Sequence, residues 1–311
     1  MTGRSQIAPD AGGPAGPWMH HFASVNGLRL HYVRQGVGLP VILIHGWPGF
    51  WYEWAPVIPT LGGHYDVIVP DLRGFAYSDK PDLFPEEGYT REALAGDIAA
   101  LTRHLGLGRV AVVAHDIGAT VAQALARSHQ DLVERLILFN PPYPGIGRRW
   151  RDPTHAREIW YQIFHTLPWA EELIGISRPA TALYLRHFLT HWSYRKEWVT
   201  EGELRHYVDA YSQPGALRGG FNYYRARERT RTTEGDLSPE TLLVPQPTLV
   251  LWGEADPILP VAWSDRLPEY FPRLTLKRVP AVGHFLMREA PELVIQEVVN
   301  FLTPCSGGRC T

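Results

Sequence analysis

The sequence predicts an α/β fold, a mostly parallel sheet wrapped by helices, with a helical insertion near its middle. Two patterns carry this expectation. Short apolar runs recur at Val41 to Ile44, Val67 to Val69, Val110 to Ala114, Leu136 to Phe139, Thr248 to Trp252 and Leu274 to Val279. Most are separated by helical patterns such as Arg91 to Leu105, Val121 to His129 and Pro291 to Leu302, the alternation of a sheet with crossover helices. Between Asn140 and Pro247 that alternation stops. Aromatics at helical spacings (Trp160, Tyr161, Phe164; Tyr184, Phe188; Tyr207, Tyr211) replace the strands, broken by Pro168, Pro179 and Pro214. Residues 141–246 are therefore expected to form a helical cap after the sixth core strand, over the carboxyl edge of the sheet where such folds bind ligands. The core would comprise 18–140 and 247–303.

The ends and the composition set the class. Met1 to Pro17 is Gly, Pro, Ala and polar residues without an apolar core, so 1–17 reads as a disordered leader and not a secretion signal. Residues 304–311 read as a flexible tail, with Cys305 and Cys310 reduced and incidental because no histidine accompanies them. No run approaches the ~20 apolar residues of a membrane span, so a soluble cytoplasmic protein is expected. With 311 residues, 45% of them hydrophobic, the chain can bury one large core. A net charge of -2 and a pI near 6.7 give no reason to expect nucleic acid or an anionic membrane as partner. The basic runs Arg148-Arg149-Trp150-Arg151 and Arg225 to Arg231 read as solvated faces, since Glu158, Glu228 and Glu234 interleave or follow them.

The chemistry is concentrated in Val112-Val113-Ala114-His115-Asp116-Ile117-Gly118-Ala119, which reads as a strand, a sharp turn and the start of a helix, a nucleophile elbow. Small residues at 114 and 118 fit, because backbone in so tight a turn passes close to its neighbours. At the apex a serine would make acyl-enzymes, whereas the carboxylate of Asp116 attacks an sp³ carbon, as in an epoxide or alkyl halide, and forms an alkyl ester. The alternative role for Asp116 is to cap the helix behind it. After later strands come Gly253-Glu254-Ala255-Asp256-Pro257 and Pro280-Ala281-Val282-Gly283-His284-Phe285, so nucleophile, acid and histidine follow in a known catalytic order. His284 is expected as general base and Asp256 as its orienting acid, with Glu254 the rival. The loop Ile44-His45-Gly46-Trp47-Pro48-Gly49 can turn the Trp47 N–H toward the nucleophile, with the Ile117 N–H completing an oxyanion hole. His45 is expected to brace that loop and His115 to pack beside the elbow.

His45-Gly46-Trp47-Pro48, Trp51-Tyr52-x-Trp54, Asp71-x-Arg73-Gly74-x-x-x-Ser78-Asp79-Lys80-Pro81, His115-Asp116-x-Gly118 and Gly283-His284 together resemble the bacterial α/β-hydrolase-fold epoxide hydrolases, from about Phe22 to Leu302. Haloalkane and haloacetate dehalogenases share most of these core motifs, so the cap decides. Trp160-Tyr161-Gln162-Ile163-Phe164 resembles the first cap motif of the epoxide hydrolases, whose tyrosine binds the epoxide oxygen and corresponds to Tyr161. Phe221-Asn222-Tyr223-Tyr224-Arg225 resembles the segment carrying the second tyrosine, here Tyr224, with Tyr223 at a packing position. The resemblance implies an eight-stranded, mostly parallel sheet and a pocket drawn from Trp47, Pro48, Trp160, Tyr223 and Phe285. It also implies a small epoxide and water as the reaction partners, no metal or organic cofactor, and a monomer or homodimer. Ring opening creates an alkoxide, and phenols with pKa near 10 can hydrogen-bond and protonate that oxygen.

Two departures bear on rival readings. Ile117 stands where haloalkane dehalogenases carry a halide-binding tryptophan, and Ile117 and Thr120 stand where haloacetate dehalogenases carry arginines. A hydrolytic dehalogenase would have to find its halide donors in the cap, for example Trp160 and His165. A noncatalytic ligand receptor on the same scaffold is the remote alternative. Trp160, Trp169, Trp192 and Trp198 suggest lipophilic or aryl substrates, or simply a cap core.

Overall fold

The computed structural model describes residues 16–234 and 239–303, except for the side chains of 228–234. The expected leader lies outside the described residues save for its last two, and the tail with Cys305 and Cys310 lies wholly outside them. The strands are β1 (His20–Val25), β2 (Leu28–Gln35), β3 (Pro40–Ile44), β4 (Asp66–Pro70), β5 (Val110–His115), β6 (Val133–Phe139), β7 (Thr248–Gly253) and β8 (Leu274–Val279). They form one eight-stranded sheet in the order β1-β2-β4-β3-β5-β6-β7-β8, with β2 alone antiparallel to its neighbours. Central strand β5 is buried on both faces along its length, which is why it reads as a continuous apolar run and not as an alternation.

Helices α1 (Ile58–Gly62), α2 (Pro85–Gly88), α3 (Arg91–His104) and α4 (Ile117–Ser128) follow the early strands, and α10 (Leu286–Glu289) and α11 (Pro291–Leu302) close the chain. Between β6 and β7 the described residues form only helices and loops: α5 (Trp160–Phe164), α6 (Ala170–Gly175), α7 (Arg178–His191), α8 (Glu201–Tyr211) and α9 (Ala216–Glu234), with short 3-10 turns. Thr90, Ser177 and Thr200 start α3, α7 and α8 by accepting the N–H of the residue three positions on, supplying partners for otherwise orphaned donors. Pro179, a breaker by sequence, falls in the first turn of α7, where its missing N–H costs nothing.

The insertion packs on the segments that follow β3, β5 and β7, through Tyr161 on Trp47, Tyr223 on Thr120 and His155 on Ile258, and backbone contact fixes its seat. Gly74, at φ 87°, and Gly219 of α9 touch without side chains between them. A Cβ on Gly219 would overlap the Gly74 carbonyl oxygen, and a Cβ on Gly74 would stand 3.0 Å from the Gly219 Cα. No helix among the described residues is long and apolar enough to cross a membrane.

Candidate active site

The site is built upward from the end of β5. Asp116 has φ 48° and ψ -121°, a left-handed conformation that is strained for any residue with a Cβ. The turn closes so tightly that a Cβ on Gly118 would overlap the carbonyl oxygen of His45, and one on Gly46 would lie 2.6 Å from the Asp116 Cβ. α4 starts at Ile117, which places Asp116 at the capping position, yet its side chain makes no capping hydrogen bond. Instead Oδ1 accepts the Trp47 N–H at 3.0 Å, and Oδ2 lies 3.8 Å from His284 Nε2. A carboxylate oxygen thus already occupies the anion-binding position at Trp47. The Ile117 N–H opens the adjoining helix.

His284 is fully buried, and its Nδ1–H donates to Asp256 Oδ2 at 2.7 Å. Asp256 is fixed in turn by the N–H groups of Ile258 (2.8 Å) and Leu259 (3.1 Å) on Oδ1, whereas Glu254 is exposed. The acid facing the histidine is therefore Asp256. Burial alone would lower the His284 pKa, but the charge and hydrogen bond of Asp256, with Asp116 beyond, hold it above the usual imidazole value. His284 Nε2 is buried without a protein partner, facing the nucleophile.

The neighbouring histidines are engaged elsewhere. His45 donates from Nδ1 to the Gly46 carbonyl at 2.9 Å and accepts the Leu72 N–H on Nε2 at 3.0 Å, tying the Trp47 loop to the end of β4. His115 Nε2 donates to the His284 carbonyl at 3.0 Å, and its Nδ1 lies 3.4 Å from Glu53 Oε1. Glu53, passed over in the sequence, is fully buried, and its Oε1 accepts the Gly46 N–H at 3.1 Å. Space for it exists because residue 49 is glycine: a Cβ there would overlap Glu53 Oε2.

The insertion supplies the roof. Tyr161 stacks on Trp47 with centroids 5.5 Å apart and planes at 8°, and meets the Tyr224 ring edge-on at 5.7 Å. Burial, with the Asp116 charge among the lesser causes, raises both phenols above their ordinary pKa, keeping them protonated as donors. Tyr223 differs from its neighbour. Thr120 spends its own proton on the Ile117 carbonyl (2.7 Å), so the Tyr223 hydroxyl donates to Thr120 Oγ1 at 2.9 Å. Tyr224 instead turns its ring edge-on to Trp47 at 6.1 Å. Phe188 and Trp192 of the insertion pack edge-on against Trp47 at 4.6 and 5.7 Å, and Trp192 also meets the His284 ring at 5.0 Å. Pro48, joined to Trp47 by a cis peptide bond, and Phe285 are buried at the same place. Trp160, expected in the pocket, is instead 39% exposed and stacks on Phe188, so it lies on the outer side of the insertion. His165 is buried with Nε2 2.7 Å from the Tyr184 hydroxyl, and burial pushes its pKa well below the usual value, leaving a neutral ring. No group of three or more metal-ligating side chains comes together among the described residues.

The arrangement can deliver a carboxylate to an sp³ carbon beneath two phenols and then activate water from the histidine side. Residues 40–291 match the α/β-hydrolase fold family. The soluble epoxide hydrolase of Corynebacterium sp. (strain C12) is 35% identical over 92% of this chain and 97% of its own length. Human epoxide hydrolase 4 is 31% identical over 89% of this chain and 76% of its own. The solved structure of epoxide hydrolase CorEH superposes with a TM-score of 0.77 at 33% identity, covering 91% of this chain and 98% of that one. The chain belongs to the α/β-hydrolase fold family, among its epoxide hydrolases.

Proposed function

We propose that this enzyme adds water to lipophilic epoxides, giving vicinal diols through an alkyl ester on Asp116, and that it works in the cytoplasm. The observation that carries the reading is the Asp116 carboxylate, free of helix capping, held by the Trp47 N–H and facing His284. Asp116 attacks a ring carbon, and the C–O bond breaks as Tyr161 and Tyr224 hold the oxygen and one of them protonates it. His284, oriented by Asp256, then takes a proton from water as that water adds to the carbonyl carbon of the ester. The N–H groups of Trp47 and Ile117 receive the negative charge that develops on the oxygen. Collapse expels the diol oxygen, which takes the proton held by His284, while the proton left on the Asp116 carboxyl restores the phenol that protonated the ring oxygen; the diol's new oxygen thus comes from Asp116, and the water oxygen stays in the carboxylate. The aromatic insertion acts as the lid that keeps bulk water away. A haloacetate substrate fits poorly, because the Thr120 hydroxyl is committed to Ile117 and Tyr223 and Ile117 carries no donor side chain.

Oxygen isotopes test the covalent route. One turnover in heavy-oxygen water should yield unlabelled diol, with the label retained in the peptide containing Asp116. Labelled diol from a strictly single turnover would mean direct attack by water.

A further inference from the structure

Glu289 takes no part in that chemistry, yet its carboxylate gathers four backbone N–H groups. Oε2 accepts from Gly283 (2.9 Å), Tyr194 (3.0 Å) and Arg195 (2.9 Å), and Oε1 accepts from Phe285 (3.1 Å). Gly283 and Phe285 flank the catalytic histidine, while Tyr194 and Arg195 lie between α7 and α8 of the insertion. The same junction is stitched by the His284 N–H to the Trp192 carbonyl (2.8 Å) and by Arg195, which donates from Nε to the Ala281 carbonyl (3.1 Å) and from Nη1 to the Glu289 carbonyl (3.2 Å). A Cβ on Gly283 would lie 2.6 Å from the Tyr194 nitrogen, so insertion and histidine loop meet backbone to backbone. Ala281, at φ 54°, shows that the loop is held in a conformation it would not choose alone.

We propose that Glu289 is a positioning residue that ties the histidine loop to the segment between α7 and α8 and so fixes His284, controlling the second half-reaction and not the first, since α9 with Tyr224 is seated separately at Gly74. The proposal rests on the covalent reading above. Physically, a carboxylate can satisfy several converging N–H donors at once, whereas an amide of the same size presents an NH2 to one side of them. Loss of the acceptor leaves buried N–H groups unpaired and frees the loop. A shift of about 1 Å in a catalytic group costs on the order of 10²-fold. Attack by Asp116 does not use the histidine and should be spared.

The test compares Glu289→Gln, Glu289→Asp and His284→Gln with the parent enzyme, using styrene oxide, rapid quenching and intact-protein mass. His284→Gln should accumulate the ester; if it does not, the covalent reading falls and takes this proposal with it. With that reading secured, Glu289→Gln should alkylate at close to the parent rate but hydrolyse the ester about 10²-fold more slowly, so that ester accumulates, and Glu289→Asp should recover part of the loss. Equal slowing of both half-reactions, or unchanged hydrolysis, would overturn the proposal. Should Glu289→Gln fail to fold, the exposed Arg195→Met variant removes two of the same stitches from the other side. It should produce a smaller slowing confined to ester hydrolysis, and slowing of alkylation instead would count against the proposal.

Discussion

Two adjacent tyrosines on α9 allow a sharp separation of catalysis from stability. On the proposed mechanism, Tyr224→Phe removes one of the two phenol donors that hold the oxygen on which charge develops. Loss of one such donor costs about 10²- to 10³-fold, or about 2.7–4 kcal/mol, and Tyr161→Phe should cost a similar amount. Replacing both should bring ring opening close to undetectable. Tyr223→Phe instead breaks a 2.9 Å hydrogen bond to Thr120. Because Thr120 keeps its bond to the Ile117 carbonyl, the loss should be about 1 kcal/mol of stability, lowering Tm by about 2 °C in a chain of this size, with the rate nearly unchanged. Stopped-flow tryptophan fluorescence suits the assay, since Trp47 stacks on Tyr161 and touches the reacting site. Calorimetry supplies the other axis. The reasoning fails if Tyr223→Phe slows ester formation as much as Tyr224→Phe, or if Tyr224→Phe costs stability and leaves the rate intact.

The pH behaviour of His284 should differ between free enzyme and ester. Asp116 is among the charges that raise its pKa above 6.5, and esterification removes that charge. Ester hydrolysis, which needs the neutral base, should therefore rise with pH along an acid limb centred below the His284 titration of the free enzyme; NMR titration and single-turnover decay should show the offset, and coincident midpoints would contradict it. The same raised pKa stabilises the fold below pH 6.5, a contribution lost as pH rises through the folded value. Gly49→Ala should destabilise by about 1–3 kcal/mol through overpacking against Glu53. In a double-mutant cycle with Glu53→Ala much of that cost should vanish, and full additivity would show that the two side chains do not compete for the space.

The frame of the candidate site was legible because each of its parts is tied to the end of a strand. β5 is apolar throughout, Gly118 is forced by the approach of His45, and the loops bearing Asp256 and His284 directly follow strands. β1 and β2 were not singled out as strands. They form the half-buried edge of the sheet, where polar residues interrupt the apolar signal. The hairpin between them did carry a mark in Asn26-Gly27, both at positive φ. Glu53, Asn140 and Glu289 left no comparable trace. Asn140 takes the Gly253 N–H on Oδ1 and donates from Nδ2 to the carbonyls of Gly283 and His284. Such residues act on distant backbone, and only the folded chain reveals which backbone that is. Trp160 misled for a related reason: its motif marks α5, but the side of the helix facing the nucleophile belongs to Tyr161.

The paired glycines 74 and 219 bear on how this enzyme can change. Tyr224 lies five residues beyond Gly219 on one continuous helix, about 7.5 Å along its axis. The helix that carries it is therefore seated by two backbones in contact, with no side chain at that point whose size could be adjusted. Any larger residue at either glycine must force the two backbones apart and shift the helix that carries the tyrosine. Drift toward bulkier or slimmer epoxides is thus channelled to the Tyr161 side, where Phe188 packs against Tyr161 and Trp47 and can be trimmed or enlarged while the glycine contact that seats Tyr224 stays intact.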